Sequence, residues 1–144
     1  MTSTVLASID LTHPEDQARV LKRARQLADL DKATLAVVTV LPDYHSSFVG
    51  SFFPEDHTHK MVQEARTALH TFIAETVGHD RETRHIVRVG NVYDGVLETA
   101  KELDVSLIVI GAHKPGITDF VIGPNAARVA RYATCSVYIV RNSV

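Results

Sequence analysis

Short apolar runs alternate along the chain with segments whose apolar positions recur every three or four residues, so strands and amphipathic helices take turns. Thr4-Val5-Leu6-Ala7-Ser8-Ile9-Asp10 reads as a buried strand, ended by Asp10 and by His13-Pro14. A helix is predicted to follow. Thr12 or His13 stands at its N-cap, Pro14 is preset for its first turn, and Glu15 and Asp16 meet the positive end of its dipole. Ala18, Leu21, Ala24, Leu27 and Ala28 form its apolar face, while Arg19, Lys22, Arg23 and Arg25 lie mostly off it. The β-branched run Ala33 to Leu41 is a second strand, buried on both faces.

After Pro42 the periodicity stops until about Thr58, across a stretch with Gly50, Pro54 and the aromatics Tyr44, Phe48, Phe52 and Phe53. Loops of this length are often functional, and the aromatics could cap a ligand pocket or merely pin the excursion by hydrophobic contacts. Helical spacing returns from Thr58 to Val77, with Gly78 as C-cap, and Arg84 to Val89 alternates as a third strand. Asn91 and Asp94 have the spacing of a capping box ahead of a helix built on Val92, Val96, Leu97, Ala100 and Leu103. Ser106 to Gly111 is the most apolar run and reads as a central strand; a helix from Pro124 to about Ala133 and a fifth strand, Ser136 to Val140, complete the series. The result is an α/β, three-layer architecture with an open, Rossmann-like parallel sheet of five strands, in one domain spanning 1–144.

Composition narrows the classes of partner. Fifteen Lys and Arg against seventeen Asp and Glu leave a net charge of −2, which gives no electrostatic footprint for nucleic acid or an anionic membrane. The first basic residue is Arg19, no charged start of a secretory signal is visible, and no apolar run approaches the ~20 residues of a membrane span. Cys135, the single cysteine, has no intramolecular partner and suits a reducing compartment; its plainest role is a small buried apolar residue. A cytoplasmic location is expected.

In open parallel sheets, ligands bind beyond the carboxyl ends of the strands, where the strand order reverses. That rule selects Asp10, the segment Val40 to Pro42, Gly90, and the stretch from Gly111 to Asn125. The last has glycines at 111, 116 and 123 and runs into a helix start, whose free amides suit an anion; the same glycines could instead only shape a turn. Neither a GxxxxGK[ST] phosphate loop nor a GxGxxG fingerprint after the first strand is present. There is no G-x-S-x-G elbow and no legible pairing of a nucleophile with a base, so hydrolysis is expected to be slow or absent. His57 and His59, near Glu55 and Asp56, match no zinc signature at a loop–helix border, and no metal site is assigned. Arg128 and Arg131 are read as a solvated or dimer-rim face.

Several blocks resemble the universal stress protein family over essentially the whole chain. They are Ile9-Asp10 closing the first strand, Val89-Gly90-Asn91, Leu107-Ile-Val-Ile-Gly111, and the terminal block from Gly123 through Cys135-Ser-Val-Tyr-Ile-Val-Arg141. The resemblance implies an adenine nucleotide alpha hydrolase-like fold and a stress-response role. It also implies a site for ATP or AMP, with Mg possible beside ATP, and a homodimer formed through the strand Ser136 to Val140.

Carried over by position, Asp10 and Val40 would lie against adenine and Ile110 and Gly111 under the ribose. His113, Lys114, Gly123, Pro124, Asn125 and Ala126 would surround the phosphates. In ATP-binding members the loop after the fourth strand carries a G-x-x-G spacing and later a Gly followed by Ser or Thr. Here Lys114 holds the second glycine position, the loop to Gly123 is shorter, and Pro124 replaces the Ser or Thr. The form is similar to a subgroup reading SHRPxIT…LGSNAA, which includes nucleotide binders. Pro124 removes an N–H and a hydroxyl from the phosphate side. The competing expectation is a dimeric interaction module of the same fold that binds no nucleotide and acts on an unknown protein partner.

Overall fold

The computed structural model describes residues 3–42, 55–79, 82–112 and 122–141, the side chains of residues 55 and 56 excepted. Its elements are β1 (Thr4–Ser8), α1 (Pro14–Leu30), β2 (Thr34–Leu41), α2 (Glu55–Val77), β3 (Arg84–Val89), α3 (Val92–Glu102), β4 (Leu107–Gly111), α4 (Pro124–Tyr132) and β5 (Ser136–Val140). All pairings are parallel and the strand order is β3-β2-β1-β4-β5. The alternating pattern therefore forms the expected α/β sheet. β4 is interior, as expected, paired with β1 and β5, and the middle strand is β1, because the chain crosses from β3 through α3 to the far side of β1.

Burial on both faces explains the uniform apolarity of the inner strands. Val5, Ala7, Leu35, Val37 and Val109 pack with Val20, Leu21, Ala24, Leu69 and Ile73 under α1 and α2. Leu6, Ala36, Val38, Ile108 and Ile110 pack with Val96, Ala100, Ala126 and Val129 under α3 and α4. On β5, Val137 and Ile139 lean on this second cluster, while Tyr138 points the other way and is 39% exposed. Cys135 is half-buried against the same cluster, and burial pushes its thiol pKa up.

Three local expectations change. The buried residues of α1 are Gln17, Val20, Leu21, Ala24 and Ala28; Gln17 and Val20 join the expected face, Leu27 is partly buried against the same core, and Ala18 is half-buried. The helix N-cap is His13, one of the two residues expected there, and its side chain makes no cap bond. α2 starts at Glu55, ahead of Thr58, so His57 and His59 lie inside the helix near its start, two residues apart, a spacing that does not face one side of a helix. The capping box at Asn91 does not form: Asn91 Nδ2 donates to Asp94 Oδ2 at 3.3 Å, and neither side chain caps the backbone. The expected loop aromatics Tyr44, Phe48, Phe52 and Phe53 lie outside the described residues. No helix among the described residues is long and apolar enough to cross a membrane.

Candidate functional site

The strand order reverses between β1 and β4, and a cavity of about 360 Å³ opens beyond the carboxyl ends there. Of the residues singled out from sequence, Asp10, Val40, Ile110, Gly111, Gly123, Pro124, Asn125 and Ala126 all line it. His113 and Lys114 lie outside the described residues.

The wall at β1 is built by a turn. Ile9 N–H still donates to Val38 O at 2.9 Å, so sheet pairing runs one residue past β1. It stops at Asp10 because that amide donates instead to Gln17 Oε1 at 2.9 Å. Asp10 Oδ1 then accepts from Thr12 N–H at 3.0 Å and from Thr12 Oγ1 at 2.6 Å, forming an Asx turn that delivers the chain to α1. Asp10 therefore has a capping role in the turn and still borders the cavity. Its second carboxylate oxygen carries no hydrogen bond among the described residues.

Gln17 is among the cavity residues that sequence reasoning missed, with Thr39 and Val92. It is only 9% exposed, bonds the Asp10 amide, and stands at a position of α1 otherwise reserved for the core. The signal was a polar residue three and four positions before Val20 and Leu21. Gly111 accommodates it closely. A Cβ at Gly111 would stand 3.3 Å from Gln17 Nε2 and 3.3 Å from Val20 Cγ2, tight on both sides.

The opposite wall is the start of α4. Gly123 N–H donates to Ala112 O at 2.8 Å, and Ala112 N–H to Val140 O at 2.8 Å, which tie the helix start to the ends of β4 and β5. Gly123 is an extended N-cap without a side chain to cap the helix, Pro124 occupies the first turn, and no acidic residue lies in that turn. The amides of Asn125 and Ala126 thus lack intrahelical acceptors, and no acidic side chain of the helix's own first turn meets the positive end of its dipole. Val40 and Val92 supply apolar surface between the two walls. One end of the cavity offers carboxylates, the middle is apolar, and the α4 end offers amide donors.

Away from the cavity, Arg128 stacks over Tyr93 at 4.7 Å and Arg131 over Tyr132 at 5.7 Å, so the paired arginines lie against aromatic rings.

Comparison with known proteins gives these features a family. The family model described as "Universal stress protein family" matches residues 1–141. Universal stress protein G of Salmonella typhimurium is 33% identical over 147 residues, covering 98% of this chain and 100% of the relative. Among solved structures, hypothetical protein MJ0577 superposes with a TM-score of 0.80 at 19% identity, covering 100% of this chain and 99% of that one. The universal stress protein from Archaeoglobus fulgidus in complex with dAMP superposes at 0.63 with 22% identity, covering 98% of each chain. At these identities the structures speak for the fold, and the sequence matches speak for the lineage. The chain belongs to the universal stress protein family.

Proposed function

We propose that this chain binds an adenine nucleotide in the cavity between β1, β4 and α4, and acts in the stress response as a cytoplasmic, nucleotide-dependent regulatory or interaction module. The observation that carries the proposal is the convergence of Asp10, Val40, Ile110, Gly111 and the uncapped α4 amides on one cavity at the switch point. The polarity runs the right way for a mononucleotide. A base fits against Val40 and Val92 with its exocyclic amine toward Asp10, and the phosphate meets the Asn125 and Ala126 amides. The dAMP complex of the Archaeoglobus relative agrees with this choice of ligand class.

ATP and AMP are the ligands to try, ATP with and without Mg. A ligand at about 100 times its Kd adds about 2.7 kcal/mol of stability. That corresponds to a rise in Tm of several degrees for a domain of ~150 residues. No shift with millimolar ATP or AMP would overturn the proposal in favour of the nucleotide-free interaction module. Homodimerisation through Ser136 to Val140 belongs to the same reading, because β5 is an edge strand with an apolar sequence and pairs only with β4 among the described strands. Light scattering that gives a monomer at micromolar concentration would refute it.

A further inference from the structure

Gln17 spans the two strands that flank the switch point. Its Oε1 accepts from the Asp10 N–H, just past the end of β1, at 2.9 Å. That bond fixes which end of the side-chain amide is which, because a backbone N–H can meet only the oxygen, so the NH2 group is the far end. Nε2 lies over the end of β4, 3.3 Å from where a Cβ at Gly111 would stand, and glycine leaves that place open.

The amide is therefore a donor held in one orientation within the cavity. Gln17 is 9% exposed, and among the described residues nothing accepts a hydrogen bond from Nε2. No side-chain nitrogen or oxygen of the described residues is both sealed from solvent and unpartnered, so Nε2 opens onto the cavity that Gln17 lines. Ser8 and Thr39 are buried polar residues of the same lining, but their hydroxyls rotate and accept as readily as they donate. The free end of the Gln17 amide can only donate.

We propose that Gln17 is a specificity-determining residue, its Nε2 donating to a sugar hydroxyl of the bound nucleotide, so that the cavity takes ribonucleotides in preference to their deoxy counterparts. The inference rests on the nucleotide reading above and adds the part of the ligand that Gln17 meets. With the base against Val40 and Val92 and the phosphate on the Asn125 and Ala126 amides, the sugar lies between them. The strand order sets the same place at the boundary of β1 and β4: β2, which carries Val40, flanks β1 on one side, and β4, which leads to α4, flanks it on the other. Gln17 bridges that boundary, bonded to Asp10 and beside Gly111. A sugar hydroxyl accepts from Nε2, whereas a methylene in its place leaves the N–H unpaired where the ligand has displaced water.

Calorimetric titration of the full chain with AMP, 2′-deoxy-AMP and 3′-deoxy-AMP tests this. The parent should bind AMP about fivefold to tenfold more tightly than at least one of the deoxy forms, the worth of one neutral hydrogen bond. In Gln17→Met, which has a side chain of similar length and no donor, that ratio should fall to about one; a role confined to holding the Asp10 turn would weaken all three ligands alike and leave the ratio as it was. Gly111→Ala, which puts a Cβ 3.3 Å from Nε2, should lower the ratio in the same direction. Equal affinities of the parent for all three ligands, or a preference that persists undiminished in the folded variants, would overturn this inference and leave nucleotide binding standing. No binding of AMP by the parent would overturn both.

Discussion

Replacing Gly95 by alanine should transmit a steric push from α3 into the cavity beyond the ends of β1 and β4. A Cβ at Gly95 would stand 2.7 Å from Val40 Cγ2 and 3.2 Å from Val40 Cγ1, and Val40 lines the cavity on its other side. Valine is stiff about χ1, so it relieves the contact only by moving into the cavity or by lifting α3 off β2. Two opposing magnitudes decide the outcome. Alanine gains about 1 kcal/mol of helix propensity over glycine, whereas overpacking costs about 1–3 kcal/mol. The single variant should be neutral to about 2 kcal/mol less stable, and its affinity for AMP should fall.

In a Val40→Ala background both γ carbons are gone and the nearest remaining Val40 atom is Cβ at 3.5 Å, an ordinary contact. There Gly95→Ala should stabilise by up to about 1 kcal/mol, giving a coupling between the two positions of about 1–3 kcal/mol. Urea denaturation of the four proteins of this cycle measures it. Additive effects would refute the argument that Gly95 exists to admit Val40.

Three further outcomes follow from the geometry. Gln17→Leu leaves the Asp10 amide without its acceptor and should cost about 1–3 kcal/mol in urea denaturation; an unchanged midpoint would mean that water replaces Gln17 Oε1 without loss. Pro124→Ser restores an amide and a hydroxyl at the start of α4 and should tighten ATP about tenfold by calorimetry, since one charge-assisted hydrogen bond is worth about 1.5–3 kcal/mol; unchanged affinity would move the phosphates away from α4. The Arg88 hydrogen bond and charge hold the Glu102 carboxyl below its ordinary 4.5, so this pair adds stability above that pH and loses it as pH falls through the lower folded value. Glu102→Gln should therefore be less stable than the parent at pH 7 and converge with it in acid, and a gap that persists at low pH would contradict the assignment.

How far the sequence exposes this molecule depends on which interactions are local. The strands were legible because burial on both faces leaves uninterrupted apolar runs such as 34–41, and the parallel sheet follows from the alternation of strand and helix. That Asp10, Val40 and Gly111 border a cavity was legible too, since each stands at the carboxyl end of a strand. Gln17 was not, because its task is to accept a hydrogen bond from an amide seven residues away, and an isolated glutamine within an amphipathic helix carries no mark of that. The centrality of β1 over β4 depends on which side of the sheet α3 crosses, and the apolarity of the two strands does not encode it.

Amide NMR of the isotopically labelled chain during titration with AMP tests the central claim most directly, since it reports both binding and location. The account predicts saturable shifts concentrated at Asp10, Val40, Ile110, Gly111, Asn125 and Ala126, with little change at His70 and His85 at the other end of the sheet. Unchanged spectra at millimolar AMP, or shifts centred away from the start of α4 and the end of β1, would contradict it.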